Sequence, residues 1–176
     1  MAGQIILTAS NAGTVTLTPA NTGNTFVATV PARTGNISVD GPAFSAYQSS
    51  AQTLSSATNT KIQFQTEEFD TNNNFDPTTN YRFTPTIAGY YQINGGFQVA
   101  SSATGGAIAI YKNGSGYKSG AGNPNATTSN QWQVSALVYL NGSTDYVELY
   151  GYITTGQALV ANAQFTYFQA SMVRAA

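Results

Sequence analysis

Residues 64–99 read FQTEEFDTNNNFDPTTNYRFTPTIAGYYQINGGFQV, and this stretch decides the fold. Asp76-Pro77 ends an extended run at Phe75, because proline fixes its own φ and restricts the residue before it. From Tyr91 to Val99 the odd positions hold apolar residues or glycine, and the even positions hold Gln, Asn or glycine. A period of two places alternate side chains on opposite faces of a strand. The stretch therefore predicts a half-buried strand with one apolar and one amide-rich face.

The spacing of six residues in this stretch resembles the signature of the globular head of the complement first component's q-subunit: Phe64, Asp70, Phe75, Phe83, Gly89 and Tyr91. This sequence has one extra residue between Phe75 and Phe83. It has Ile93 where the pattern usually has Phe, and Gly95 where the pattern usually has an aromatic residue. The resemblance implies an all-β, tumour-necrosis-factor-like jelly-roll sandwich. Such domains are usually homotrimeric binding heads and not enzymes.

Three further segments extend the resemblance to about residues 43–174. Ala43–Tyr47 resembles the first strand of the head, IYKNG at 110–114 resembles its hairpin, and FTYFQASMV at 165–173 resembles its last strand. The sequence is therefore interpreted as a jelly-roll head over residues 43–176. Asp40-Gly41-Pro42 is a turn signal and marks the expected boundary before the head.

Residues 1–42 predict a β-rich N-terminal arm. Short β-type runs at Ile5–Thr8, Thr14–Leu17 and Thr25–Val30 alternate with turn residues. The segment has too little apolar surface to form a core alone. One interpretation is a stalk or docking arm that is completed by neighbouring chains. The alternative is a pair of extra edge strands on the head.

The composition excludes several function classes. Only 7% of the residues are charged and the net charge is −1, so nucleic acid is not an expected partner. The sequence has no Cys and no His, which removes disulfides, thiolate chemistry and the commonest general base. No apolar run is long enough for membrane insertion, and no export signal is recognised at the N-terminus. We expect the chain to be made in a cytoplasm.

Two Asn-Gly pairs predict type I′ hairpin turns, at Asn113-Gly114 and at Asn141-Gly142. In the strand after the second pair, Val147, Leu149, Gly151 and Ile153 share one face. The other face carries Glu148 and three tyrosines, Tyr146, Tyr150 and Tyr152. Aromatic residues on both faces of several strands would expose a large apolar patch in a monomer. Tyr146, Tyr150 and Tyr152 are therefore candidate trimer-interface residues. The alternative is that they are amphipathic surface residues.

Residues 112–131 are rich in glycine and predict a long exposed hairpin loop. Aromatic rings stack on sugars and amides bond to hydroxyl groups, so this loop is a candidate recognition site for a host cell-surface glycan. Its candidate binding residues are Tyr117, Lys118, Asn123 and Asn125. The alternative is a polar loop with no binding role.

Four acidic residues lie close together in the sequence: Glu67, Glu68, Asp70 and Asp76. Their oxygen atoms could ligate Ca²⁺, although the spacing of an EF-hand is absent. The alternative is a solvated loop whose Asp residues cap turns. Paired carboxylates could also serve a glycosidase, but nothing in the sequence fixes their separation. We expect no catalytic residues and no cofactor apart from this candidate calcium site.

A Thr- and Asn-rich β-arm joined to a complement-type head, without Cys, resembles bacteriophage fibre, tail or head-decoration proteins. This resemblance implies a non-enzymatic virion protein that displays a trimeric head. The alternatives are a cellular lectin-like adhesin and, third, a polysaccharide-degrading enzyme. The expected location is the virion, after synthesis in the host cytoplasm.

Overall fold

The computed structural model describes residues 5–8, 14–17, 41–122 and 130–176. These residues contain strands and turns but no helix. The fifteen strands are β1 Ile5–Thr8, β2 Thr14–Leu17, β3 Ala43–Tyr47, β4 Thr53–Leu54, β5 Thr60–Lys61, β6 Thr66–Asp70, β7 Phe75–Asp76, β8 Arg82–Phe83, β9 Gly89–Gln98, β10 Gly106–Lys112, β11 Ser115–Gly122, β12 Gln131–Leu140, β13 Val147–Ile153, β14 Gln157–Ala158 and β15 Tyr167–Ala175.

The N-terminal strands form a unit of their own. The chain divides into two compact units, Met1–Gly35 and Asn36–Ala176. In the first unit β1 and β2 pair antiparallel, with Ile5 opposite Leu17 and Thr8 opposite Thr14. The first two predicted runs of the arm are therefore strands with the predicted bounds. The third predicted run, Thr25–Val30, lies outside the described residues.

The second unit is a two-layer antiparallel sandwich. Layer one has the strand order β6-β3-β15-β9-β12. Layer two has the order β11-β10-β13-β8-β7, with β5 also paired to β13. The layers are continuous through β11 and β12, which pair at Ala121 with Gln133 and at Gly122 with Trp132. A separate short sheet joins β4 to β14.

Aromatic side chains fill the space between the two layers. Phe44 of β3 stacks on Phe75 of β7 and on Phe83 of β8, with ring centroids 4.6 Å and 4.7 Å apart. Phe168 of β15 meets Phe44 edge-on at 4.9 Å. Rings of this size each bury a large apolar area, so they supply much of the energy that holds the layers together.

The central strand has the predicted alternation. In β9, Tyr91, Ile93 and Phe97 are fully buried, while Gln92 and Asn94 lie on the opposite face. Gly95 faces layer two, and a Cβ at this position would clash with the side chain of Leu149. Leu149 fills the space that an aromatic residue would need. This contact explains the glycine that departs from the complement-type pattern.

The turn predicted at Asn113-Gly114 is confirmed. Both residues have positive φ, 53° and 78°, and Lys112 pairs with Ser115 across a two-residue loop. The prediction of a long exposed loop over residues 112–131 is wrong, because Ser115–Gly122 is a strand paired to β10. Glycine permits this strand to approach β12 closely. A Cβ at Gly120 would meet the backbone of Gln133, and one at Gly122 would meet Trp132.

The prediction of a hairpin turn at Asn141-Gly142 is also wrong. The strands on either side, β12 and β13, belong to different layers, so no two-residue turn can join them. Instead, Asn141 organises a longer connection with its side chain. Its Oδ1 accepts hydrogen bonds from the backbone N–H groups of Ser143, Thr144 and Asp145 at 3.0, 2.9 and 2.9 Å. Asn therefore serves here as the start of an Asx turn.

Candidate functional site

The outer face of layer one carries an exposed apolar patch. It consists of Tyr90 on β9, Leu137 and Tyr139 on β12, and Val173 on β15, with exposed fractions of 42%, 53%, 42% and 61%. The rings of Tyr90 and Tyr139 lie 5.5 Å apart. Tyr90, Leu137 and Val173 line a groove of about 510 Å³, which Arg174 and the C-terminal residues complete. We call this surface the layer-one patch.

Sequence reasoning did not identify the layer-one patch, although β12 carries a signal for it. The outward side of this strand begins with polar residues, Gln133 and Ser135, and then becomes apolar at Leu137 and Tyr139. Large apolar side chains on the solvent side of a half-buried strand indicate a surface that another molecule covers.

A row of polar side chains crosses the same face of layer one. Gln169 of β15 lies opposite both Ser45 of β3 and Asn94 of β9, and Asn94 lies opposite Ser135 of β12. Gln169 Nε2 donates to Ser45 Oγ at 3.0 Å, and Ser135 Oγ donates to Asn94 Oδ1 at 2.8 Å. Ser45 Oγ donates in turn to the carboxylate of Glu68 at 2.6 Å. The face is thus apolar at one end and hydrogen-bonded across its middle.

The three tyrosines predicted to form a trimer interface lie on layer two. Tyr150 and Tyr152 belong to β13 and Tyr146 directly precedes it, and all three are half-buried within the chain. Tyr150 stacks on Tyr111 with 3.9 Å between ring centroids and 21° between ring planes. The guanidinium carbon of Arg82 lies 4.3 Å from the centroid of the Tyr146 ring. Burial, and then the nearby carboxylate of Glu148, raise the pKa of the Tyr150 hydroxyl. Their role at an interface between copies stays a prediction.

An ion pair with a buried carboxylate lies among these tyrosines. The carboxylate of Glu148, on β13, is almost fully buried and accepts a hydrogen bond from Lys61 Nζ of β5. Lys61 Nζ also donates to the backbone oxygen of Asn80 at 3.3 Å. The pair joins the short edge strand β5 to the centre of layer two. The buried carboxylate is therefore paired and hydrogen-bonded, as a charge removed from water requires.

The four candidate calcium ligands hold different local structures. Glu67, Glu68 and Asp70 lie on strand β6 and not in a loop. Asp70 accepts hydrogen bonds from the backbone N–H groups of Asn72 and Phe75 at 3.2 and 2.7 Å. Burial, and then the charge of Asp70, raise the pKa of the Glu67 carboxyl. Within the ranges described, no three His, Cys, Asp or Glu side chains form a group that could hold a metal ion. The calcium site stays an untested prediction.

Asp76, the fourth candidate, caps the turn that follows β7. Its carboxylate accepts hydrogen bonds from Thr78, Thr79 and Asn80, at distances between 2.7 and 3.1 Å. The backbone N–H groups of Thr79 and Thr78 contribute most to lowering the pKa of this carboxyl far below its usual range. Asp76 is therefore ionised at neutral pH, and both of its oxygens are occupied by the turn.

The structure describes two of the four candidate recognition residues. Tyr117 and Lys118 lie on β11, where they are exposed, and Lys118 Nζ lies 5.3 Å from the centroid of the Tyr117 ring. Asn123 and Asn125 lie outside the described residues. Tyr117 precedes Gly122, the last residue of β11, by five residues, or about 16 Å along an extended strand. Tyr117 and Lys118 therefore lie on a strand, away from the connection that follows it.

Among the residues described, no helix is both long and apolar enough to cross a membrane.

Comparison with known proteins shows a likeness in fold and none in sequence. The sequence matches no known family, and no curated protein matches it. The structure is similar to murine APRIL at pH 8.0, with a TM-score of 0.60 and 7% identity over 76% of this chain and 100% of that one. It is similar to the globular domain of zebrafish complement 1qA protein, with a TM-score of 0.56 and 16% identity over 77% and 99%.

A third similar structure is that of Eiger TNF from S. frugiperda, with a TM-score of 0.59 and 9% identity over 78% of this chain and 96% of that one. Identities this low demonstrate the fold alone. The all-β jelly-roll sandwich predicted from residues 64–99 is therefore confirmed, and this chain has the fold of tumour-necrosis-factor-like and complement-1q-like heads.

Proposed function

We propose that this protein is a non-enzymatic binding head that assembles as a homotrimer through the outer face of layer one. The observation that carries the proposal is the layer-one patch, where Tyr90, Leu137, Tyr139 and Val173 are each at least 42% exposed. Large apolar patches on soluble domains are usually covered by another molecule. The occupant we assign is a second copy of this chain, because jelly-roll heads of this fold are typically trimeric.

The arrangement of the face supports packing between copies. The apolar groove supplies the surface that gains free energy when it leaves water. In the polar row, the hydroxyl groups of Ser45 and Ser135, Asn94 Oδ1 and Gln169 Nε2 already have partners within the chain, so covering these atoms costs less than covering unpaired ones. A symmetric ring of three copies also closes the interface and leaves no apolar edge for further growth.

Sedimentation equilibrium of the intact chain tests this assembly. The proposal predicts a mass three times the 18.4 kDa of the chain at micromolar concentration. A stable mass of one chain over that concentration range would contradict it.

Binding without chemistry is supported by the state of the carboxylates. Catalysis by acid and base needs a positioned group with a pKa near the working pH. Glu148 is paired with Lys61, and Asp76 is held ionised by its own turn. His and Cys do not occur in the sequence. These two carboxylates are thus committed to structure.

We further propose that the head is displayed on a bacteriophage particle as a fibre, tail or capsid-decoration protein, and that residues 1–42 anchor it to other virion proteins. The support is the separate N-terminal unit, with its β1-β2 hairpin, and the scarcity of charged residues, at 7% of the chain. A virion lacking residues 1–42 of this protein should lose the head, while the truncated head still folds. Normal incorporation of the truncated protein would contradict the anchoring role.

A further inference from the structure

A cleft opens between the turn after β7 and the connection that leads from β8 into β9. Its volume is about 470 Å³, within the range of small-molecule sites. Amide and hydroxyl side chains line much of it, among them Asn73, Asn80, Thr84 and Thr86, and Arg82 contributes the cation.

Arg82 is held in place without a charged partner. Its guanidinium lies 4.3 Å from the centroid of the Tyr146 ring, an arrangement that orients the planar group. Lys61 and Lys112 each pair with a carboxylate, at Glu148 and Asp145. The backbone of Arg82 pairs with that of Asp76 in the β7–β8 ladder, but its guanidinium makes no hydrogen bond or ion pair with any residue that the structure describes. Its five N–H donors are therefore available to a ligand in the cleft.

Further polar groups in the cleft are available as well. The Thr84 hydroxyl and the Asn73 side-chain amide make no hydrogen bond to a described residue. Asn80 Nδ2, by contrast, donates to Asp76 at 2.7 Å, so it serves the turn. A ligand in this cleft would meet one guanidinium, one hydroxyl and one free amide, a set that suits a molecule with a carboxylate and several hydroxyl groups.

The charge of the cleft restricts the ligand further. Asp76 lines the same cleft and is ionised at neutral pH, so a multiply charged anion would be repelled. A single carboxylate on an otherwise neutral, hydroxyl-rich molecule meets one guanidinium and avoids most of this repulsion. Arg pairs with carboxylates through two parallel hydrogen bonds, which also fixes the orientation of the ligand.

We propose that this cleft binds an acidic saccharide and that Arg82 pairs with its carboxylate. The proposal rests on the proposed role of the protein as a binding head, and it places the saccharide in the cleft that Arg82 lines instead of at Tyr117 and Lys118.

The test uses the intact chain and an array of sialylated, uronic-acid-containing, sulfated and neutral oligosaccharides. Titration calorimetry then measures the best acidic ligand beside its neutral counterpart, for example 3′-sialyllactose beside lactose. We expect binding of carboxylated members and at least about tenfold weaker binding of their neutral counterparts. Arg82→Gln should weaken binding by at least about tenfold. Arg82→Lys should give an intermediate loss of affinity, because lysine keeps the positive charge but cannot form the two parallel hydrogen bonds of a guanidinium with a carboxylate.

Lys118→Gln is the matched control, because Lys118 is a second cation on the same layer that has no carboxylate partner among the described residues. It should leave the affinity unchanged. An array without a carboxylated binder, equal binding of neutral members, or preference for sulfated members would overturn the proposal. So would a loss in Lys118→Gln without a loss in Arg82→Gln. Should Arg82→Gln fail to fold, Arg82→Lys decides in its place, and unchanged affinity in that variant overturns the proposal.

The mass of each sample is measured in the same preparation. A trimer that binds no acidic saccharide contradicts this inference alone, whereas a monomer contradicts the proposed assembly.

Discussion

On the outer face of layer two, the tyrosine rings pack against other side chains of the same face, whereas on layer one they border an open groove. Tyr150 is stacked on Tyr111, and Tyr146 lies under Arg82. Tyr90 and Tyr139 stay 42% exposed beside Leu137, which is 53% exposed. The composition of the two faces is similar, so the count of aromatic residues does not decide which face another copy covers. The decisive difference is how much of each ring the chain itself covers, since Tyr146 and Tyr150 are half-buried whereas Tyr90 and Tyr139 are exposed.

The two layers also differ in where their charged side chains lie and in which partners those side chains have. Layer two holds the Lys61–Glu148 ion pair and the cation–π contact of Arg82, so these charged side chains have partners within the same layer. The layer-one patch borders Arg174, at the end of β15, and Lys112, whose Nζ lies 5.7 Å from the centroid of the Tyr139 ring and pairs with Asp145. A face that packs against another copy is expected to carry few unpaired charges, because burying an unpaired charge costs free energy.

The largest effect should come from a charge placed in the layer-one patch. Leu137→Asp would bury a carboxylate between copies without a partner, so we expect the trimer to dissociate at micromolar concentration. Sedimentation equilibrium measures the mass. Tyr152→Ser on layer two is the control and should keep the trimer. If Tyr152→Ser dissociated the protein and Leu137→Asp did not, layer two would be the face between copies.

The second effect concerns the ion pair of layer two. Lys61→Ala leaves the almost fully buried carboxylate of Glu148 without its ammonium partner, and we expect a loss of about 3 kcal/mol in the free energy of unfolding. Urea denaturation followed by the fluorescence of Trp132 measures it. Glu68→Ala, which removes an exposed carboxylate from layer one, should cost less than about 1 kcal/mol. Equal losses in the two variants would mean that the buried pair has no special role.

A smaller effect should distinguish the two ring pairs. A double-mutant cycle on Tyr111 and Tyr150 should give a coupling energy of about 1 kcal/mol, because their rings stack at 3.9 Å. The cycle on Tyr90 and Tyr139, whose rings are tilted and 5.5 Å apart, should give less than half of that in a dissociated background such as Leu137→Asp. Equal couplings would remove the distinction between packed and open rings.

The smallest effect is on pH dependence. Hydrogen bonds lower the pKa of the Asp76 and Asp145 carboxyls below the ordinary value of 3.8, so their contribution to stability is present above about pH 4 and is lost as the pH falls. Burial raises the pKa of Glu67 above 4.5, so its contribution has the opposite sign and is lost as the pH rises. Urea denaturation from about pH 3 to pH 6 should show a weaker acid loss in Asp76→Asn and a stronger one in Glu67→Gln.

Much of the fold could be predicted from local patterns. The alternation from Tyr91 to Val99 and the Asn113-Gly114 turn depend on neighbours in the sequence, and both predictions are confirmed. The glycine-rich run from Ser115 to Gly122 was predicted as a loop because its composition is typical of one. It is a strand because its glycines permit contact with Gln133 and Trp132, which lie far along the chain.

The candidate sites were harder to predict, because they depend on which side chains the fold brings together. Arg82 and Tyr146 are 64 positions apart, and no local pattern joins them. Tyr150 was correctly placed on the outward face of its strand, but its stacking partner Tyr111 comes from β10. The layer-one patch combines residues from β9, β12 and β15, so exposure on the assembled sheet, and not periodicity, reveals it.

The most direct measurement of the central claim is the reactivity of one introduced thiol on each layer. The sequence has no natural Cys, so a single cysteine reports its own site. Leu137 and Tyr117 have similar exposed fractions, 53% and 45%, within one chain. If copies assemble through layer one, Leu137→Cys in the assembled protein should be alkylated at least about tenfold more slowly than Tyr117→Cys. Equal alkylation rates at the two positions, in a sample of trimeric mass, would contradict the account.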